Sequence, residues 1–279
     1  MYQNQVLASC PQLQHLYIDG IELAPLHAAP SHEGWKSLRS IVLGPHTRLT
    51  PRLFVPFLAA CIYLESIEIL IPGLTAYCAS LFATGANDGS TSIFDAEFDL
   101  DMLNFTYLRV FRCHSALSPE LLQHILAPAV ANGALEVLEL SMGHSVYSPH
   151  INLNPNVNGP IIPLRDYTFT ISSSVRTLGL YDFNWAPHAN STAFEGGPFI
   201  EWLRCFPNVD AISIYPGPYS SAAMTSIIRP LLEFSQLKAI FQDRLTGVDW
   251  DQATRAAKAH GMRIYHLKDL IAPKWQSFD

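Results

Sequence analysis

Leu135-Glu136-Val137-Leu138-Glu139-Leu140-Ser141 carries apolar anchors at its first, fourth and sixth positions, with glutamates beside them. In an extended chain the fourth and sixth positions fall on one face and the residues between them on the other. The same spacing returns as Leu13-Leu16-Ile18, Leu38-Ile41-Leu43, Leu64-Ile67-Ile69 and Leu108-Phe111-Cys113. It recurs again as Val175-Leu178-Leu180 and Val209-Ile212-Ile214, with a weaker copy at Leu237-Ile240. The first anchors are separated by 25, 26, 44, 27, 40, 34 and 28 residues.

Several of these separations lie within or near the ~20–29-residue period of leucine-rich repeats, in which each unit supplies one strand and stacks on its neighbour. The expected architecture is therefore a right-handed α/β leucine-rich-repeat solenoid, with a curved parallel sheet on the concave side and helices on the convex side. We read residues 1–279 as a single domain of about eight or nine irregular repeats, with insertions near 84–104 and 141–174. Helix starts follow from Thr50-Pro51 before 52–61 and from Ser118-Pro119 before Leu122, Ile125 and Leu126. Phe199, Trp202 and Leu203 have helical spacing, and Asp249 to His260 reads as a late helix stopped by Gly261.

Hydrophobic residues make up 49% and charged residues 15% of the 279, enough apolar content for a continuous core. The net charge of -7 excludes the basic excess expected of a nucleic-acid surface. Five cysteines lack any paired spacing. Cys10, Cys61 and Cys205 each fall a few residues before a strand phrase, so they are read as small buried residues rather than ligands or nucleophiles. Reduced thiols, no leader-like N-terminus and no stretch able to span a bilayer lead to the expectation of an intracellular protein, cytoplasmic or nuclear, with no membrane partner. The sequons at Asn104 and Asn190 are accordingly read as incidental.

A search for chemistry yields little. Gly143-His144-Ser145 resembles the opening of a nucleophile elbow, but Val146-Tyr147 follows where the second glycine is needed. A small hydrolase built on the 141–174 loop is therefore the secondary reading, and a degenerate remnant without function is a third. The eleven histidines form no metal-binding spacing. Asp95, Glu97, Asp99 and Asp101 alternate as the edge of a strand would, without the glycine and closing glutamate of a calcium loop. No phosphate-binding glycine motif occurs, so no cofactor or metal is expected.

The residues between the apolar anchors are more productive. With Leu16 and Ile18 facing the core, His15, Tyr17 and Asp19 face outward, and the same register carries outward Ser66, Glu68, Arg112, His114, Glu139, Ser141, Thr177, Tyr181, Ser213, Tyr215, Phe241 and Asp243. This column is charged early and aromatic late, with Trp185 and Tyr219 in loops beyond the strands. Exposed rings beside a polar field suit a protein-binding hot spot; the same rings could instead fill a satellite core. The candidate protein-binding residues are Arg112, His114, Glu139, Tyr181, Trp185, Tyr215, Tyr219 and Phe241, with no catalytic residue among them.

Cys10-Pro11-Gln12-Leu13-Gln14-His15-Leu16 and Phe206-Pro207-Asn208-Val209-Asp210-Ala211-Ile212 resemble the C-P-x-L-x-x-L phrase of the leucine-rich repeats of F-box proteins. The irregular repeats and Trp/Tyr-rich loops are similar to the large fungal set of that family. The resemblance implies the substrate-binding region of a ubiquitin-ligase receptor, working as a protein-protein interaction module without catalysis. It departs from the family in showing no F-box before Leu13, so adaptor binding is assigned to no residue here, and the protein partner is unknown.

Overall fold

The structure, a computed structural model, describes residues 10–20, 22–23, 35–49, 58–70, 103–114, 119–141, 172–181, 202–215 and 221–269. These fall into two compact units, the first running to Glu136 and the second starting at Val137. Both are α/β, with eleven parallel strands between them among the described residues, six in the first, two of them forming a separate short pair, and five in the second.

In the first unit β1 (His15–Ile18) pairs with β3 (Ser40–Leu43), β3 with β5 (Ser66–Ile69), and β5 with β6 (Val110–Cys113). The register sets Leu16, Ile41, Ile67 and Phe111 side by side, the fourth positions of successive phrases. Ile41, Ile67 and Phe111 are fully buried, whereas Leu16 of the outer strand is only half-buried. A short parallel pair, β2 (Glu22–Leu23) with β4 (Arg48–Leu49), was not legible in the phrases. Asp19 ties these loops together. Its carboxylate accepts N–H bonds from Gly20 at 2.9 Å and His46 at 2.8 Å. It also fills the space beside Gly44, where a Cβ would lie 2.6 Å from the aspartate side chain.

Six of the eight phrases are launched by a turn. The N–H of Leu13, Leu38, Leu64, Leu108, Val209 and Leu237 donates to the carbonyl three residues upstream, on Cys10, Trp35, Cys61, Phe105, Phe206 and Phe234. Trp35, Cys61, Phe105 and Phe206 are buried at that turn position. The expectation of buried cysteines holds at Cys61 and needs correction at the other two. Cys10 opens the outermost turn and is exposed, while Cys205 sits one residue ahead of the turn-opening Phe206 and is only half-buried. Burial pushes the Cys61 thiol up to about 12, so it stays protonated.

Helix α1 (Pro119–Ala131) begins where the Ser118-Pro119 signal places it. It ends on Gly133 at φ +65°, with the Ala134 N–H reaching back to the Ala129 carbonyl. That closure feeds directly into the next phrase.

The second unit orders β7 (Val137–Ser141), β8 (Thr177–Tyr181), β9 (Ala211–Ile214), β10 (Ala239–Phe241) and β11 (Arg263–Tyr265). Leu138, Leu178, Ile212, Ile240 and Ile264 are register neighbours and all buried. The strand at Ile264 lacks a first leucine anchor, with Met262 buried just before it, and was missed in the sequence. Helix α2 (Ser221–Leu231) packs on α3 (Gly247–Ala259), and α3 packs on β11. α3 starts two residues before the expected Asp249, with Thr246 extended at its N-cap and no side-chain cap bond. Gly261, at φ +76°, stops it as expected, with the Met262 N–H returning to the Ala257 carbonyl. Of the two remaining expected helices, only 58–61 and 202–206 lie within the described residues. Nearly all of both expected insertions lies outside them.

Candidate functional site

Alternation along the strands places Tyr17, Val42, Glu68 and Arg112 side by side on the face opposite the apolar anchors in the first unit. The corresponding row of the second unit is Glu139, Gly179, Ser213, Phe241 and Tyr265. The sequence reading treats this face as open to solvent. It is open at β1, where Tyr17 is 56% exposed, but Val42, Glu68, Ser40, Ser66, Glu139, Ser141 and Ser213 are buried. Glu139, a candidate binding residue, is fully buried and cannot itself meet a partner on the surface. Polar residue type alone could not reveal this, because a charged group is tolerated inside when a partner compensates it.

Those partners are visible. Arg112 Nη1 donates to Glu68 Oε1 at 3.2 Å, with the side chains 12% and 2% exposed. The two residues are direct register neighbours on β5 and β6, so the pair spans one interstrand gap. His114 follows on the same strand face, half-buried, and its imidazole is pushed down to about 4, chiefly by burial and secondarily by the Arg112 charge. It is therefore neutral at pH 7.

In the second unit, the Tyr215 hydroxyl donates to Glu139 Oε2 at 2.9 Å. The carboxylate reaches that hydroxyl across β8, and Gly179 is what makes room. A Cβ there would lie 2.8 Å from Glu139 Cβ and 2.9 Å from Cδ. A glycine inside a strand often signals close approach by another group. That signal stands in Leu178-Gly179-Leu180. Ser213 Oγ is buried beside this bond without a hydrogen-bond partner among the described residues.

Further along, Phe241 stacks on Tyr265 with centroids 5.1 Å apart and planes 20° from parallel, both rings half-buried. Asp243 Oδ1 accepts the Leu267 N–H at 3.0 Å and lies 3.3 Å from His266 Nδ1. The His266 ring stacks on Trp250 of α3 at 4.4 Å. Tyr215 and Phe241 are thus partly exposed candidates, and Arg112 and His114 are partly buried ones. The Tyr181 side chain, Trp185, Tyr219 and the Gly143-His144-Ser145 fragment lie outside the described residues.

A second feature escaped the sequence reading. The residue immediately before seven of the nine main strands alternates in charge once the register is known: Arg39, Glu65 and Arg109 before β3, β5 and β6, then Glu136, Arg176, Asp210 and Lys238 before β7, β8, β9 and β10, with Gln14 and Met262 before β1 and β11. Backbone bonds hold the row, with Glu65 N–H on the Arg39 carbonyl, Arg109 N–H on Glu65 and Glu136 N–H on Arg109, at 2.7–2.8 Å. Arg109 grips Glu136 through three bonds of 2.9–3.1 Å, and Arg39 Nε lies 3.7 Å from Glu65. Each of these residues is separated from the next by tens of positions, so only register brings them together.

No protein-family model, curated protein or solved structure matches the chain. Among the described residues, no group of three or more His, Cys, Asp or Glu side chains could hold a metal ion. No described helix is long and apolar enough to cross a membrane.

Proposed function

We propose that the chain is a leucine-rich-repeat solenoid acting as a protein-protein interaction module, with no catalysis of its own. The observation that carries this reading is the register: in each unit one face repeats an apolar residue strand after strand, while the central row of the other, Tyr17, Val42, Glu68 and Arg112 or Glu139, Gly179, Ser213, Phe241 and Tyr265, changes identity at every strand. Constant positions build a core, and variable positions in a fixed lattice build a recognition surface. The contact residues are Tyr215, Phe241 and the neighbouring Tyr265 in the second unit, and separately Arg112 and His114 in the first. Glu139 serves as the buried support of Tyr215.

By the resemblance to F-box proteins, the bound protein is a substrate presented for ubiquitin transfer. The F-box and its adaptor contact belong to no residue described here. Affinity capture with the parent chain and with a Phe241→Ser/Tyr265→Ser double variant tests the surface. A partner retained by the parent and lost by a variant of unchanged far-UV spectrum is the expected result. Equal capture by both chains would remove this face from the proposal.

A further inference from the structure

The first phrase is the one whose anchors escape full burial. Leu38, Leu64 and Leu108 are buried, yet Leu13 is partly exposed, as is Leu16 beside the fully buried Ile41, Ile67 and Phe111. The other face of the strand follows the same pattern. His15 is exposed where its row neighbours Ser40 and Ser66 are buried, and Tyr17 is exposed where Val42 and Glu68 are buried. Among the described strands none lies beyond β1. At the other outermost strand, β11, Met262 and Ile264 are buried and α3 packs on the strand. In a parallel ladder, alternate residues of a strand bond to the same neighbour. The Gln14 and Ile18 carbonyls accept from the β3 side, from the N–H groups of Arg39, Ser40 and Gly44. By that alternation the backbone groups of His15, Tyr17 and Asp19 point away from β3. Strand edges are ordinarily blunted by Lys or Pro, and His15-Leu16-Tyr17-Ile18-Asp19 contains neither.

This stretch is complementary to itself when run antiparallel. About a two-fold axis at Tyr17, Tyr17 meets Tyr17 of the second copy, Leu16 meets Ile18 and His15 meets Asp19, the last two pairs each made twice. Opposed residues share a face, so the Leu16–Ile18 pairs extend the apolar side and the tyrosines and His–Asp pairs lie on the other. The N–H and C=O groups that point away from β3 are then exchanged between the copies. Asp19 is already set for its part: Gly20 and His46 take Oδ1, and Oδ2 carries a long 3.4 Å bond from the Tyr17 hydroxyl. Neighbouring registers fail. An axis at Leu16 sets Asp19 against Leu13, and an axis at Ile18 sets Leu16 against Gly20. We propose that the outer edge of β1 is a docking edge whose occupant is a second copy of the chain, its β1 antiparallel to the first and centred on Tyr17. A single strand pair is a small contact, so the dimer is reversible.

Sedimentation of the full chain over a concentration series reads the association directly, and a monomer–dimer equilibrium is expected of the parent. Tyr17→Lys sets two ammonium groups against each other at the axis and should weaken the dimer by about tenfold or more. His15→Asp, which sets acid against Asp19 twice, should also weaken it, whereas His15→Lys keeps an opposite charge there and should dimerise at least as well as the parent. Tyr17→Pro deletes an N–H that points away from β3, so the β1–β3 ladder keeps its bonds while the central exchange between copies is lost. Both positions are exposed, and the variants should keep the parent's far-UV spectrum. A parent chain that stays monomeric throughout would overturn the proposal. So would a Tyr17→Lys or Tyr17→Pro chain that dimerises like the parent, or His15→Asp and His15→Lys chains that associate equally.

Discussion

The two units use the same strand phrase and solve the problem of a buried charge in opposite ways. In the first, Glu68 meets Arg112 on the adjacent strand, one step of the sheet away. In the second, Glu139 has Gly179 as its neighbour and passes over it to Tyr215, beyond the following strand. Adjacent strands lie about 4.8 Å apart, so the first contact asks nothing of the backbone between partners. The second exists only because one position in the row has no side chain. The first unit therefore depends on charge compensation, and the second on empty space.

The largest expected effect tests that division directly. Glu68→Ala removes the buried carboxylate that faces the Arg112 guanidinium at 3.2 Å, and chemical denaturation should show a loss of up to about 3–5 kcal/mol. Replacing both residues together, as Glu68→Leu with Arg112→Met, should recover most of it. If the single and double variants were equally destabilised, packing rather than charge would govern this unit.

Next in size is a pH effect confined to the first unit. The His114 pKa is lowered in the folded protein, so the unfolded chain binds the proton more readily between its ordinary value near 6.5 and about 4. Stability contributed by the neutral ring is complete above that window and is lost as pH falls through it, by at most about 3 kcal/mol. His114→Gln should flatten this part of a stability–pH curve. A curve with unchanged slope would show that other groups set it.

In the second unit, Gly179→Ala should cost about 1–3 kcal/mol, because Glu139 must be pushed aside. Tyr215→Phe removes a hydrogen bond to a charged group, worth about 1.5–3 kcal/mol at most. A double-mutant cycle measures their coupling. Since the alanine already breaks the Tyr215 bond, the pair should cost clearly less than the sum. Full additivity would mean that Gly179 does not serve the Glu139 contact.

The smallest effect belongs to the exposed row. Arg176→Ala and Arg109→Ala should each change monomer stability by less than about 1 kcal/mol, since exposed ion pairs contribute little. A larger loss in either thermal melt would make the row a stabilising element and not only a surface one.

Much of the fold was legible because burial repeats. Ile41, Ile67, Leu138, Leu178 and Ile212 must each leave water, and an apolar residue at a fixed spacing records that need locally. The strand at Ile264 was missed because Met262 and Arg263 disguise the phrase, and the β2–β4 pair because two residues are too few for a period. The site was less legible for a different reason. Glu139 looks like a surface acid until Tyr215, 76 residues later, is brought to it.

By itself the sequence determined the eight strands that carry the phrase, their apolar face, the helix start at Pro119 and the stop at Gly261, all set by near neighbours in the chain. Only the tertiary structure decided that Glu68 and Glu139 are buried, that Gly179 is a passage, and that Arg39, Glu65, Arg109 and Glu136 form one alternating row. These depend on register between distant segments, and a partner across the sheet leaves no local trace in the residues it compensates.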